Sequence, residues 1–460
     1  MSPLFTRRRV LLAAAAAGTA SLCACATRPG PTDMPPIVFV HGNGDTAGLW
    51  IATIWRFESN GWPRDRLHAI DLPYPLARDD DAKEQPGRSS IAEFTTHLAA
   101  EVKKVLAATG AAKVALVGLS RGGYPIRNFI ANGGASVVSH AVLGGVPNHG
   151  VWSNPAFLPG SEFNAAGPFL RKLNSPQGSA GDEVTPGVAW MTIRSDNNDK
   201  YAQPDGVWIG ARGTPTNVSF DGPELKGAEN VVIAGIDHRE TALGVKAFAE
   251  MYRFVAGKPP ATLAIVPEAR VVLDGVVSGL GLDNRQGSFA TNLPLAGATV
   301  EVYATDPATG LRVGPAAHRA TVGADGRWGP FVADGAARYE FVVAAPGYAT
   351  THLYRSPFPR SSSIVSLHPE RLADADRDAK SLVTLSRPSG YLGVPRDRIS
   401  LDGASPPAGI PSGVAGVSSA RVRLADPSQR AIVGEFNDER IVGRTWPVAD
   451  NHVVVLELTH

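Results

Sequence analysis

The chain has 460 residues, which allows about two to four domains at roughly 100 to 200 residues per domain. Its 44 Lys and Arg residues nearly balance its 43 Asp and Glu residues, so no basic field exists to attract nucleic acid by counterion release. With 43% hydrophobic and 19% charged residues, the composition is that of a globular protein rather than an integral membrane protein.

The first 26 residues are predicted to be an export signal. Three arginines at 7–9 precede a short alanine-rich stretch, an order that resembles a twin-arginine signal. Residues 22–25 also resemble a lipoprotein cleavage box, in which Cys25 would carry the lipid; cleavage after Ala26 is the alternative. We therefore expect an exported protein that is periplasmic, secreted, or held on the outer surface as a lipoprotein.

Residues 35–257 are predicted to form an α/β domain. Apolar strand-like runs alternate here with amphipathic helical stretches, the pattern of a parallel sheet with helices on both faces. One such helix is predicted over 91–109, where apolar residues recur at helical spacing on one face. The predicted strands are 37–40, 67–70, 113–118, 139–143, 189–193 and 231–234.

The chain changes character after the Gly-Lys-Pro-Pro sequence at 257–260. Short alternating runs separated by turns predict an all-β sandwich or barrel. Residues 262–368 are assigned to a β-sandwich module, part of which resembles carboxypeptidase regulatory domains. Residues 372–460 are predicted to form either a second β region or the completion of one larger β domain.

The strongest chemical signal is the Gly-x-Ser-x-Gly pattern at 118–122, directly after an apolar strand. A serine in a tight strand-turn-helix connection is held at the carboxyl end of the sheet, where it can act as a nucleophile. Glycines are needed because larger side chains would clash in so sharp a turn. We therefore predict that Ser120 is the nucleophile.

A serine hydroxyl needs a base, and the base needs an orienting acid. His238 follows the last predicted strand, where the base belongs in the chain order Ser, acid, His; His41 and His149 are the weaker alternatives. The acid is expected in the loop after strand 189–193, and there Asp199 has the better reach. Asp196 is the competing candidate, although its position favours bracing the turn.

Two backbone amides are predicted to form an oxyanion hole. The turn His-Gly-Asn-Gly at 41–44 follows the first strand, and its glycines let backbone N–H groups face a substrate carbonyl oxygen. The Arg121 N–H, at the start of the helix after Ser120, would supply the second donor. Asn43 and Arg121 would thus act through their backbones.

Together these motifs resemble those of a bacterial serine lipase or esterase of the α/β-hydrolase superfamily. The resemblance implies a Ser120, Asp199 and His238 triad, with no cofactor and no metal ion. It implies hydrolysis of a hydrophobic carboxylic ester, as by a triacylglycerol lipase or carboxylesterase. A lipid ester is favoured by the aromatic-rich segment 148–186, a candidate lid, and by membrane or lipid-surface association through Cys25 and the β region.

Two alternatives remain open from the sequence. One is a depolymerase for polyester or storage polymer, since an exported catalytic domain with a β module would also suit a solid substrate. The other is a catalytically inert cell-surface binding protein. An inert protein would have no reason to keep a serine, an acid and a histidine in order at the ends of strands, which favours the enzyme.

Overall fold

A computed structural model describes residues 34–177, 181–210, 212–283, 287–426 and 429–459. The predicted export signal, with Cys25 and both cleavage alternatives, lies outside these residues. From Pro35 onward the chain forms one compact unit. In the described part of the chain, no helix is both long enough and apolar enough to cross a membrane.

The first domain is built on a six-stranded, entirely parallel sheet with the strand order β2-β1-β3-β4-β5-β6. The strands are β1 Ile37–Val40, β2 Leu67–Ile70, β3 Val114–Leu119, β4 Val138–Gly144, β5 Ala189–Ser195 and β6 Glu229–Ile233. The helices are α1 Ile51–Ser59, α2 Ile91–Thr109, α3 Gly123–Ala131, α4 Pro168–Leu173, α5 Glu240–Leu243 and α6 Val245–Ala256. Each predicted strand is therefore present, and α2 has the predicted bounds.

Helices cover both faces of this sheet, as predicted. Successive residues of a strand face opposite sides, and in β1 Val38 packs in the core that contains residues of α2 and α3. The next residue, Phe39, instead contacts Phe57 of α1, which in turn contacts Phe248 of α6. The doubly covered parallel sheet is thus the architecture expected from the alternating pattern.

The described residues of the segment 148–186, which are 148–177 and 181–186, pack against the domain. Its Trp152 contacts Phe163, and Phe163 and Phe169 both contact the buried Tyr124 of α3. Of the aromatic side chains that suggested a lid, Phe163 and Phe169 therefore pack against the core cluster of the first domain.

Among the described residues after α6, strands are joined in several sheets and no α-helix is present, so this region is all β as predicted. The largest has seven strands in the order β11-β10-β13-β14-β20-β15-β17. Its β14 and β20 are parallel neighbours, so strands from 262–368 and from 372–460 share one sheet. The strands are β7 Val271–Leu273, β8 Ser278–Asp283, β9 Gly287–Pro294, β10 Thr299–Thr305, β11 His318–Thr321, β12 Phe331–Ala333, β13 Arg338–Ala344, β14 Thr350–Arg355, β15 Ser381–Ser386, β16 Ile399–Leu401, β17 Ser419–Leu424, β18 Ala431–Phe436, β19 Glu439–Arg444 and β20 His452–Glu457.

The two regions share core residues. Trp55 of α1 is 1% exposed and belongs to the hydrophobic cluster of the β region. Its indole Nε1 donates a hydrogen bond to the Ser361 carbonyl oxygen at 2.9 Å. A helix of the first domain is therefore anchored in the second core, a contact that the Gly-Lys-Pro-Pro boundary did not suggest.

Candidate active site

Ser120 lies immediately after β3 with a backbone φ of 50°, in the left-handed region that non-glycine residues rarely adopt. The flanking glycines are sterically required. A Cβ on Gly122 would lie 2.5 Å from the carbonyl oxygens of Val40 and His41, and one on Gly118 would lie 2.8 Å from Ile126 Cδ1. The turn that raises Ser120 at the edge of the sheet thus depends on both glycines of the pattern.

Asp199 and His238 are brought together from the loops after β5 and β6. Asp199 Oδ2 accepts a hydrogen bond from His238 Nδ1 at 2.7 Å, and both residues are buried. The other oxygen, Oδ1, accepts from the Tyr201 N–H at 2.8 Å. The carboxylate is therefore fixed by its own loop while it holds one nitrogen of the imidazole.

The opposite nitrogen of His238, Nε2, is buried and has no hydrogen-bond partner among the described residues. The Tyr201 ring meets the imidazole edge-on, with ring centroids 4.7 Å apart. Helix α5, which begins two residues after His238, contacts β3, β4 and β5, so the histidine loop folds back across the sheet toward the end of β3. An imidazole oriented through Nδ1, with Nε2 unengaged, is able to accept a proton.

Asp196, the other candidate for the acid, binds backbone N–H groups. Asp196 Oδ1 accepts hydrogen bonds from the N–H groups of Asn197 and Gly235 at 2.7 and 2.9 Å. These hydrogen bonds lower the pKa of Asp196 below its ordinary value, and the bond from Gly235 has the largest effect. Asp196 therefore braces the turns after β5 and β6, the role that its position near the strand end suggested.

The two alternative histidines each have another contact. His41 is fully buried and accepts the Leu72 N–H through Nε2 at 3.0 Å, while Nδ1 lies 2.8 Å from the Gly42 carbonyl oxygen. His149 Nε2 lies 3.0 Å from Glu183 Oε1. The His41 contacts tie two loops together, and the His149 ring forms a hydrogen bond with Glu183 at the side of the site.

The turn at 41–44 lies directly beside Ser120. A Cβ on Gly42 would be 3.3 Å from Ser120 Cβ and 2.7 Å from Asp45 Oδ2. The Asn43 side chain faces away, because its Oδ1 accepts the Ala77 N–H at 2.7 Å. Any contribution of Asn43 to an oxyanion site would therefore come from its backbone.

The Arg121 side chain is likewise turned into the protein. Its guanidinium forms a fully buried ion pair with Glu162, with Nε 2.7 Å from Oε1. It also donates to the carbonyl oxygens of Pro75 and Ser89 at 2.9 and 2.8 Å. The residue after Ser120 thus connects the serine turn to the loop before α2 and to the segment 148–186, and only its N–H remains as a candidate oxyanion donor.

Residues 387–417 of the β region contact the histidine loop, which sequence reasoning missed. The Asp237 carboxylate is 0% exposed. Its Oδ2 accepts from Arg387 Nη1 and the Tyr391 N–H, both at 2.9 Å, and from Arg396 Nη2 at 3.2 Å. The residue before His238 is therefore held by three groups of the β region.

The same stretch contacts the acid loop. Asn198 Oδ1 accepts the Ala415 N–H at 2.9 Å, and Lys200 Nζ donates to the Gly416 carbonyl oxygen at 2.8 Å. Lys200 Nζ also lies 3.9 Å from the centroid of the Tyr391 ring. Burial and the charge of Arg239 lower the pKa of Lys200 to about 8. Both residues that flank Asp199 are thus anchored on the β region.

A cavity of about 330 Å³ borders the Asp199 and His238 pair. Apolar side chains from the loops after β4 and β5 line it, together with the His149 ring, which faces the Glu183 carboxylate. Polar residues also line it, among them Asn148, Ser153 and Arg194, and clefts that combine apolar walls with polar groups are typical of small-molecule sites. The apolar lining includes Val146, Val218, Phe220 and Leu225.

Two family models match parts of the chain: residues 35–170 match the alpha/beta hydrolase fold, and residues 269–372 match the lipase C-terminal domain. The chain is similar to a Bacillus licheniformis lipase in its mature form, with 20% identity, a TM-score of 0.35, and coverage of 50% of this chain and 94% of that one. It is also similar to Aspergillus fumigatus lipase B, with 17% identity, a TM-score of 0.34, and coverage of 50% of this chain and 54% of that one. A carboxylesterase of Bacillus subtilis shows 16% identity and a TM-score of 0.28, with coverage of 50% of this chain and 86% of that one.

Proposed function

Because the chain combines an α/β-hydrolase domain with a lipase C-terminal domain, we propose that it hydrolyses carboxylic esters through an acyl-enzyme formed on Ser120. The observation that carries this proposal is the Asp199 to His238 hydrogen bond of 2.7 Å, opposite an unengaged Nε2. Together with a serine in a strained turn at the end of β3, that arrangement supplies the residue types that the Ser-His-Asp mechanism requires.

In the first half-reaction, Ser120 Oγ attacks the acyl carbon while its proton passes to His238 Nε2. The imidazolium that forms is stabilised by the Asp199 carboxylate at Nδ1 and returns the proton to the leaving alcohol oxygen. The oxygen of the tetrahedral intermediate would be held by the N–H groups of Asn43 and Arg121. Water then attacks the acyl-enzyme with His238 again as base, which releases the acid and restores Ser120.

The substrate class that we propose is a hydrophobic ester of modest size. The supporting feature is the cavity beside His238, whose apolar side chains suit an acyl or alkyl group and whose volume of about 330 Å³ falls at the small end of ligand sites. The aromatic residues of the segment 148–186 pack inward, so they provide no broad apolar surface for a lipid interface.

The test is an activity profile of the purified protein on p-nitrophenyl esters from acetate to palmitate, emulsified triglyceride and polyester film. We expect the highest kcat/KM on short and medium esters, with all turnover lost in Ser120→Ala. Turnover of polyester film well above that of soluble esters would instead support the depolymerase alternative. No turnover of any ester by a folded protein would overturn the proposal.

A further inference from the structure

Arg56, in α1, is a buried cation without a counter-ion. The residue is 4% exposed, and its Nε has no hydrogen-bond partner in the described part of the chain. Burial alone lowers its pKa to about 10, with no neighbouring carboxylate opposing the shift. A buried guanidinium that has no counter-ion and an unbonded Nε destabilises a fold, so its presence here calls for a reason other than stability.

A second buried arginine shows how such a residue is normally accommodated. Arg127 is 2% exposed, and burial also lowers its pKa to about 10. Its guanidinium, however, donates to Asn174 Oδ1 at 2.9 Å and to the Glu183 carbonyl oxygen at 3.0 Å. The two arginines are buried to a similar extent, but only the Arg127 guanidinium has hydrogen-bond acceptors among the described residues. Arg127 is therefore a suitable reference for Arg56.

Arg56 lines a cavity of about 790 Å³ between the first domain and the β region, here called the interdomain cavity. Two further polar atoms of its lining, Arg338 Nε and Ser389 Oγ, are buried without partners among the described residues. These three unpartnered atoms are two guanidinium donors and one hydroxyl, and the residues that carry them line the same cavity. Much of the remaining lining is apolar and includes Trp55, Leu243, Val245, Ile265 and Phe436.

The carboxylates of this lining are engaged elsewhere. Glu240 pairs with Arg387 and Arg396 at 2.6 and 2.9 Å. Asp438 pairs with Arg398 at 2.9 Å. Glu439 Oε1 accepts hydrogen bonds from Ser356 Oγ at 2.6 Å and from the Thr459 N–H at 2.8 Å. Arg56 and Arg338 are therefore the cations of this lining that have no ion pair among the described residues, and Arg56 is the more deeply buried of the two.

We propose that the interdomain cavity is a binding site for an organic monocarboxylate with an apolar chain, separate from the cavity beside His238. The carboxylate would pair with the Arg56 guanidinium, whose planar donor fork matches two carboxylate oxygens. The chain would lie against the apolar walls. An amine is disfavoured by the charge of Arg56, and inorganic phosphate would leave the apolar lining unused.

The first test compares stability without ligand. We expect Arg56→Met to raise Tm, because it removes an unpartnered buried charge and retains an unbranched side chain. Arg127→Met, the matched control, is expected to lower Tm, because it leaves buried oxygen acceptors without donors. If both variants lose stability to a similar extent, Arg56 is satisfied in solution and the proposal is wrong.

The second test measures binding of sodium octanoate by calorimetry to the wild type and to Arg56→Met. We expect binding to the variant to be weaker by at least about 10- to 100-fold, because the loss of even one hydrogen bond to a charged group has that effect. Acetate, inorganic phosphate and octylamine are expected not to bind the wild type at this site. Equal octanoate affinity in the two proteins, no octanoate binding at all, or preferential phosphate binding would each overturn the proposal. Ester turnover is not the readout, so this result is independent of whether Ser120 is the nucleophile.

Discussion

At the scale of single residues, the two aspartates after β5 differ in what their oxygens face. Asp199 presents Oδ2 to the imidazole, whereas Asp196 Oδ1 accepts backbone N–H groups from two turns. Only the first geometry fixes a histidine tautomer. The sequence predicted that both aspartates lie in the loop after β5, but it could not predict which groups each carboxylate faces.

We expect Asp199→Asn to lower ester turnover by about 10⁴-fold, the loss seen when a triad imidazole takes the wrong tautomer. Asp196→Asn should lower turnover far less and act mainly on stability, since it weakens two hydrogen bonds to backbone. Steady-state kinetics on one soluble ester, with circular dichroism to verify folding, measures both. A larger loss in Asp196→Asn than in Asp199→Asn would reassign the acid.

His41 makes stability depend on pH. Burial lowers its pKa below the ordinary value, against the opposing charges of Asp71 and Asp45 and with a smaller contribution from Arg121. In the fold its Nε2 must remain an acceptor for the Leu72 N–H. As pH falls below about 6.5, the unfolded chain takes up a proton that the folded chain does not, so the free energy of unfolding decreases.

We expect His41→Gln to reduce this acid sensitivity, because the glutamine oxygen can accept the same N–H without titrating. The measurement is the free energy of unfolding of the wild type and the variant between about pH 5 and 7. The wild type should lose stability toward acid more steeply. Parallel curves would show that His41 does not contribute to the pH dependence.

At the scale of elements, the loops after β5 and β6 are held from outside their own domain. Arg387 Nη1 binds the buried Asp237 carboxylate at 2.9 Å, and its Nη2 binds Glu240 at 2.6 Å. These two acidic residues flank the start of α5 and lie on either side of His238 and Arg239. The position of the imidazole is therefore coupled to the position of the β region.

We expect Arg387→Gln to lower kcat/KM by about 10- to 100-fold, the effect of a small displacement of a catalytic group. Arg387→Lys should recover part of the loss. The matched control is Arg360→Gln, because Arg360 also joins the two regions, through a hydrogen bond of 2.7 Å from its Nε to Glu58 Oε2. If Arg387→Gln and Arg360→Gln have equal kinetic effects, Arg387 contributes only to stability.

The parts of the fold that the sequence predicts are those set by local patterns. Helix α2 has the predicted bounds because Ser90 and Glu93 form a capping box at its start and Gly110 ends it with a φ of 65°. The serine turn was also predictable, since two glycines and a preceding apolar strand specify it. The contact of Arg387 with Asp237 was not, because it joins residues 150 positions apart and leaves no local pattern.

At the scale of the whole molecule, the first domain and the β region share packing as well as polar contacts. Trp55 is buried in the hydrophobic cluster of the β region, and the Asp237 carboxylate has its hydrogen-bond partners Arg387, Tyr391 and Arg396 on that region. Removal of the residues after Lys258 would expose the Trp55 side chain and would leave the Asp237 carboxylate without its partners on the β region. The exposed linker at 257–259 suggests an independent catalytic domain, whereas the contacts indicate one cooperative unit.

We expect a chain that ends at Lys258 to be poorly soluble or to have less than about a tenth of the esterase activity, since an unpaired buried charge typically costs several kcal/mol. The control is the full-length protein cut only at the linker by an inserted protease site. The cut protein keeps its contacts and should keep its activity. A truncated chain with full activity on soluble esters would show that the catalytic domain is autonomous.

The most direct test of the central claim is covalent labelling of the nucleophile. The purified protein would be treated with a fluorophosphonate, and the modified peptide identified by mass spectrometry. We predict one modification, on Ser120, that is lost in Ser120→Ala and strongly slowed in His238→Ala although both variants remain folded. Labelling of another residue, or unchanged labelling in either variant, would contradict the assignment of Ser120 and His238 as nucleophile and base.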